Sequence, residues 1–194
     1  MSNTSIVESK TSIELVGTYI RLIRARFSGK NDRVPWQWSS KPEESSIVIE
    51  SANNELEEHR DAKPAIFIDR NAIVYPTIAI GNQVTEHQPT GTRYYYTTPS
   101  GQMTMDCISR SRGESSLIGD AVAHHLVMSG NILRRFYGFK SVTPITLMPS
   151  QPWEKDDRSY ITRVTSEFVY DIAWKSMPEE LIIRRMKGID IEPY

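Results

Sequence analysis

Chemistry, if this chain performs any, would have to come from a short set of side chains, beginning with the adjacent pair His124 and His125 in the stretch DAVAHHLVMSGNILRRFYGF. Neighbouring positions on a helix point about 100° apart, so two such imidazoles do not converge on one ion. Zinc-binding histidines on a helix need the four-residue spacing of HExxH. His125 falls on an apolar stripe and His124 beside it, which predicts a border imidazole hydrogen-bonded to its surroundings. His59 and His87 sit in polar sequence, where a solvated ring is expected. The lone cysteine, Cys107, shares a strand face with Met103 and Met105, so it reads as a small core residue; a nucleophilic thiolate needs an accessible, electropositive setting. Pairing it with His125 as a base would require the fold to assemble the two, and the spacing gives no support. The carboxylate groups Glu55, Glu57, Glu58 and Asp156, Asp157 lie in polar runs with no apolar pocket to raise a pKa. There is no phosphate loop or dinucleotide fingerprint, and GESSLIG lacks the glycine that a nucleophile elbow places after its serine. The expectation is therefore a protein with no catalytic residues, no metal-ligand set and no cofactor.

Aromatic residues offer a different kind of chemistry. Tyr94, Tyr95 and Tyr96 are consecutive on a strand, so they alternate faces and make no single platform for stacked bases. Trp36 and Trp38 share a face if the chain is extended there, and they lie in loop sequence. Exposed indoles are costly unless something covers them, which makes these two candidates for a protein interface.

The elements that would position these groups follow from periodicity. TSIELVGTYIRLIRARFSG places Ile13, Val16, Ile20, Ile23 and Phe27 on one helical stripe, with Thr11 and Glu14 as a capping box and Gly29 as a stop. Polar sequence then runs to about residue 62 around one short strand, IVIE. AIFIDR and AIVYPTIAIG read as two β runs, the second broken by Pro76. RYYYTT and QMTMDCISRS, joined by PSG, predict a hairpin in which Met103, Met105 and Cys107 oppose Thr104 and Asp106. After Gly113, with Ser115 or Ser116 as the cap, a second helix carries Ile118, Ala121, Val122, His125, Ser129, Ile132, Leu133 and Phe136 on its inner stripe. Gly130 weakens that helix by about 1 kcal/mol relative to Ala. SVTPITLMP gives a strand, SQPWEKDDR a projecting loop, and SYITRVTSEFVYDIAW one long half-buried strand. This order predicts an α+β fold, a mostly antiparallel β-sheet with a long hairpin, packed by two α-helices, with extended loops and a C-terminal arm. It fits a single domain over residues 1–194: a helix at about 11–28, a long loop at about 29–62, the sheet and second helix at about 63–174, and the arm at about 175–194.

Composition narrows the function classes. The 194 residues include Lys+Arg 23 and Asp+Glu 24, a net charge of -1, so no global field recruits nucleic acid or an anionic membrane. A 39% hydrophobic content supports a real core. The local cations of RLIRARFSGKNDR, among them Arg21, Arg24 and Arg26, fit the C-terminal end of a helix dipole. A single cysteine rules out an internal disulfide and multi-cysteine zinc sites and points to synthesis in the cytosol. The polar start MSNTSIVESK lacks the layout of a secretory signal, and no apolar run approaches the roughly 20 residues that cross a bilayer. The expectation is a chain neither exported by that route nor anchored in a membrane.

In layout, the segments IELVGTYIRLIRARF, PAIFIDRNAIVYP, RYYYTTPSGQMTMDCISRS, ESSLIGDAVAHHLVMSGNILRRF and YITRVTSEFVYDIAW resemble the tail terminator, or neck-associated tail completion, proteins of tailed bacteriophages. The resemblance covers most of the chain in pattern and rests on no short motif. It implies a virion protein assembled in the host cytoplasm, without enzymatic activity. It further implies a ring of six copies that closes the tail tube below the head-neck connector, contacting tube and connector proteins, with genome DNA passing through its lumen without sequence-specific binding. The loop with Trp36 and Trp38 and the tail after Trp174 depart from the family pattern. Arg21, Arg24 and Arg26 against Glu55, Glu57 and Glu58 form the charge pair expected at a head-to-tail subunit contact. A head-closure protein would be smaller and almost wholly β, and an enzyme would need a pocket that joins His125, Cys107 or the loop carboxylates.

Overall fold

The computed structural model describes residues 12–29, 34–54, 63–77, 83–87, 92–154 and 156–176. Contacts divide the chain into two units. The first is built from helix α1 (Ser12–Ser28), β1 (Val48–Ser51), β2 (Ala65–Val74), β5 (Ser100–Ser109), helix α2 (Arg112–Tyr137), β6 (Phe139–Ser141), β7 (Ile145–Leu147), β8 (Gln151–Trp153) and β9 (Asp156–Tyr170). The other holds β3 (Gln83–His87), β4 (Thr92–Thr97) and β10 (Ile172–Ser176).

In the first unit the sheet order is β1-β2-β5-β9-β6, with β7 and β8 also pairing β9. Strands β1 and β2 run parallel, and β9 runs antiparallel to β5, β6, β7 and β8. The α+β, mostly antiparallel architecture with two helices is thus as the sequence predicts. Period two decides the two faces of this sheet. Ile49, Ile66, Ile68, Met103, Met105, Cys107, Val164 and Phe168 are all within 1% of full burial on the helix side. Asp69, Arg163 and Glu167 lie on the other side, exposed. Tyr19 of α1 reaches across this core to share a hydrogen bond with Ser166 of β9 (3.2 Å), and burial pushes its phenol up to about 12.

Helix α2 lies on β9 through a seam of small residues. A Cβ at Gly119 would stand 2.4 Å from Thr162 Cγ2, so only glycine permits this approach. Thr162 Oγ1 donates to Ser115 Oγ (3.2 Å), which is 2.7 Å from Ser150 Oγ. Buried hydroxyls therefore satisfy one another here, as desolvated polar groups must.

Several local expectations change. The inner stripe of α1 is Leu15, Thr18, Tyr19, Leu22, Ile23 and Phe27, while Ile13 is exposed. The helix is turned so that Leu15, Tyr19 and Leu22 meet the sheet, a choice that Ile13, Val16 and Ile20 make invisible to periodicity alone. Thr11 of the capping box lies outside the described residues. AIFIDR and the start of AIVYP form one continuous strand, β2. The arms of the expected hairpin, β4 and β5, do not pair with each other: β5 pairs β9 from Ser100↔Val169 to Ser109↔Tyr160, and β4 pairs β3 and β10. The turn residues of PSG break the chain between two sheets instead. Helix α2 starts at Arg112 with Ser111 at the cap position, and Ser115, read as a cap, is buried inside it. Gly138 closes the helix at φ 66, the left-handed conformation that glycine adopts freely. SQPWEKDDR does not project: Gln151–Trp153 turns straight back onto β9, and Trp153 is buried. The long final strand breaks at Asp171 into β9 and β10, which belong to different sheets.

In the second unit β4 is central, flanked antiparallel by β10 and β3. Tyr95 and Trp174, directly opposite in register, stack at 5.2 Å and 7° between planes. Tyr96 donates its hydroxyl to Asp171 (2.6 Å).

Candidate interaction surfaces

Two of the groups with catalytic potential, His125 and Cys107, are committed to packing. His125, on α2, is half-buried, and its Nε2 lies 3.2 Å from the Leu22 carbonyl of α1 and 3.4 Å from Ser129 Oγ. A carbonyl only accepts, so Nε2 carries the proton and ties the helices together. Burial lowers the pKa of this imidazole; the Leu22 bond works against that, and Arg26 and His124 add to it. His124 is exposed. Cys107 is fully buried, and burial, then the neighbouring Asp106 charge, pushes its thiol far above its ordinary value. Such a thiol is inert. Asp156 and Asp157 follow the turn after β8, and Asp156 is held low by hydrogen bonds from Ser159 Oγ (2.6 Å) and the Arg158 amide (3.1 Å). No cluster of three metal-ligating side chains occurs among the described residues, and no described helix is long and apolar enough to cross a membrane.

The predicted interface residues are placed as follows. Trp38 is half-buried under Arg24, whose guanidinium lies 4.8 Å from the ring centroid. Its amide donates to the carbonyl of Phe27 (2.8 Å), closing the loop back onto α1. Arg24 also donates through Nε (3.0 Å) and Nη2 (2.8 Å) to the carbonyl of Ile49. Because Val48 bonds toward β2, the Ile49 carbonyl points out of the sheet edge, and Arg24 caps it. Trp36 is half-buried as well, at the mouth of a cleft of about 240 Å3 that it lines with Trp153, Phe67 and Ile108. Both tryptophans, expected to be stranded in a loop, are therefore partly covered by their own chain. Arg21 is exposed and donates to Thr18 Oγ1 (3.3 Å); Arg26 is partly buried near His125. Glu55, Glu57 and Glu58 lie outside the described residues, so the charge pair expected with Arg21, Arg24 and Arg26 has only its basic half described.

Two surfaces stand out that sequence reading missed. On α2, Leu117 (55%), Val127 (66%) and Met128 (68%) point away from the sheet, and Ile132 (46%) on the flank and Phe136 (78%) in the last turn are exposed as well. Ile132 and Phe136 were expected inside. The missed signal is an apolar residue on every side of the helix, which means a second face seeking a partner. On the sheet's open side, a polar hollow of about 560 Å3 runs over Asp69, Thr104, Asp106, Arg163 and Thr165 to Trp153. Arg163 grips Asp106 with Nε (2.7 Å) and Nη2 (3.0 Å) at its centre, a bond that raises the pKa of the guanidinium.

No protein-family model matches this chain, and no curated protein matches it.

Proposed function

We propose that this chain is a structural virion protein of a tailed phage, a non-enzymatic subunit whose copies close into a ring of six that terminates the tail tube and joins it to the head-neck connector. The observation that carries this reading is the outward apolar face of α2. A helix that has already buried Ile118, Val122, Leu126 and Leu133 against its own sheet still leaves Leu117, Met128 and Ile132 in water. Burying a Leu or Met side chain stabilises by roughly 1.5–3 kcal/mol, so a row of them left exposed favours association. The layout of segments resembling tail terminators supplies the kind of assembly. The inert placement of Cys107 and the structural bond of His125 agree with a subunit that performs no reaction. In the ring, DNA passes through the lumen without sequence-specific contacts, and tube and connector proteins meet its two ends. Purified protein examined by electron microscopy, alone and with tail tubes, tests this: closed rings seated at tube ends support it, and a permanent monomer that ignores tubes refutes it.

A further inference from the structure

Helix α2 contains a glycine that packing does not explain. Thr162 requires Gly119, but a Cβ at Gly130 would meet nothing within 4 Å, and glycine weakens a helix interior relative to alanine. What the missing side chain leaves open is a groove of about 290 Å3 between the flank of α2 and the chain that follows it. Gly130, Asn131 and Arg134 stand on the helix wall, and Lys140, Ser141 and Thr143 on the other. That second wall begins in a bulge. Strand β6 passes from Phe139 to Ser141 while β9 passes from Tyr170 to Val169, so Lys140 is an extra residue, and a bulge bends its strand and re-aims side chains. The Ser141 and Thr143 hydroxyls lie 3.1 Å apart. Every ionisable side chain lining the groove is cationic. Arg134 is exposed and pairs with no carboxylate among the described residues. The neighbouring described carboxylates are distant or engaged: Asp120 is about 15 Å from Gly130 along the helix, Glu167 stands on the open side of the sheet, and Asp171 accepts the Tyr96 hydroxyl (2.6 Å).

We propose that this groove binds a phosphoryl group, with Arg134 and Lys140 reaching it from opposite walls and the Ser141 and Thr143 hydroxyls and the Asn131 amide donating to its oxygens. The arrangement of donors separates a phosphoryl group from a carboxylate. A carboxylate is planar and is satisfied by one guanidinium fork, whereas a phosphate presents oxygens in several directions and draws on cations from both sides. Two sources carry that group, a nucleic-acid backbone and free phosphate, and a backbone contact of this kind reads no sequence. The groove is complete within one chain, so it does not depend on the ring reading above. Failure of either leaves the other standing.

The test uses the full-length chain, with inorganic phosphate in titration calorimetry and a short fluorescently labelled DNA duplex in anisotropy. Arg134→Gln and Lys140→Gln, both at exposed positions, are each expected to weaken binding by about tenfold or more, since each removes a charge-assisted hydrogen bond. Gly130→Leu keeps both cations, fills the groove and is expected to lose at least as much. Arg112→Gln removes an exposed arginine about 33 Å away on the same helix and is expected to change nothing. Circular dichroism confirms that each variant folds. Duplex binding weakened by the same three substitutions, with the salt slope reduced by about one for each lost cation, assigns the ligand to a nucleic-acid backbone. Phosphate binding with those dependences, beside duplex binding that is absent or indifferent to them, assigns it to free phosphate. Either result supports the groove. The proposal is overturned by a wild type that binds neither probe, by acetate binding as tightly as phosphate, or by a folded Gly130→Leu chain that binds like the wild type. It is equally overturned if Arg112→Gln weakens binding as much as Arg134→Gln, which would mark general charge attraction alone.

Discussion

Two glycines of α2 should respond to the same substitution with opposite sign. In the helix interior Ala is favoured over Gly by about 1 kcal/mol. At Gly130 nothing lies within 4 Å of an added Cβ, so Gly130→Ala should gain close to that amount. At Gly119 the new carbon would stand 2.4 Å from Thr162 Cγ2 and 3.1 Å from Leu147 Cδ1, against the roughly 3.5–4.0 Å at which carbons attract. Thr162 cannot turn away cheaply. It is β-branched, paired to Cys107 within the sheet, and its hydroxyl donates to Ser115. Overpacking of this kind costs about 1–3 kcal/mol, and the upper end applies where a stiff neighbour must move. Subtracting the propensity gain leaves Gly119→Ala destabilised by about 2 kcal/mol. For a chain of this size that lowers the melting temperature by about 4–8 °C, while Gly130→Ala raises it by about 2–4 °C. Urea denaturation followed by tryptophan fluorescence and far-UV circular dichroism measures both. Thr162→Ser, which removes the offending methyl, should recover part of the loss in a double variant with Gly119→Ala. A Gly119→Ala chain as stable as the wild type would refute the close helix-sheet seam.

Burial lowers the folded-state pKa of His125 below its ordinary 6.5, so below that pH the unfolded chain binds the proton more readily. Its contribution is complete above about pH 6.5 and is lost as pH falls through the lower folded value; His125→Gln should flatten the stability-pH curve in that window. Cys107 should resist thiol reagents in native buffer and react promptly in denaturant; rapid native labelling would contradict its burial. Arg24→Ala should cost about 1–3 kcal/mol, since it strips the Ile49 carbonyl of a charged two-point donor and uncovers Trp38. Arg24→Lys should recover little of this in chemical denaturation, because an ammonium lacks the planar fork.

What could be read from the sequence was mainly what period two and helix length dictate. Met103, Met105 and Cys107 against Thr104 and Asp106, the two helices, and the burial of Val164, Phe168 and Tyr170 follow from local pattern, because each strand has one covered face. Strand partners did not follow. RYYYTT and QMTMDCISRS are adjacent in sequence and carry turn residues between them, yet β5 finds its partner in β9 some sixty residues on. A long-range pairing with ten matched positions outweighs a local turn preference. The rotation of α1 was hidden for a related reason: Leu15, Tyr19 and Leu22 compete with Ile13, Val16 and Ile20 for the inside, and only the position of Ser166 beneath Tyr19 decides between them. At the candidate surfaces, the loop tryptophans looked unpartnered because sequence does not show Arg24 lying over Trp38. The outward face of α2 was misread because Ile132 and Phe136 extend the inner stripe by spacing, while in the folded chain both are exposed.

The central claim is that the exposed apolar face exists to be covered by further copies. Imaging the purified full-length chain by electron microscopy, with mass measured on the same sample, addresses it most directly. Closed rings of six copies around an open lumen are the expected result. Particles that remain single subunits at every concentration, with tail tubes present or absent, would contradict it.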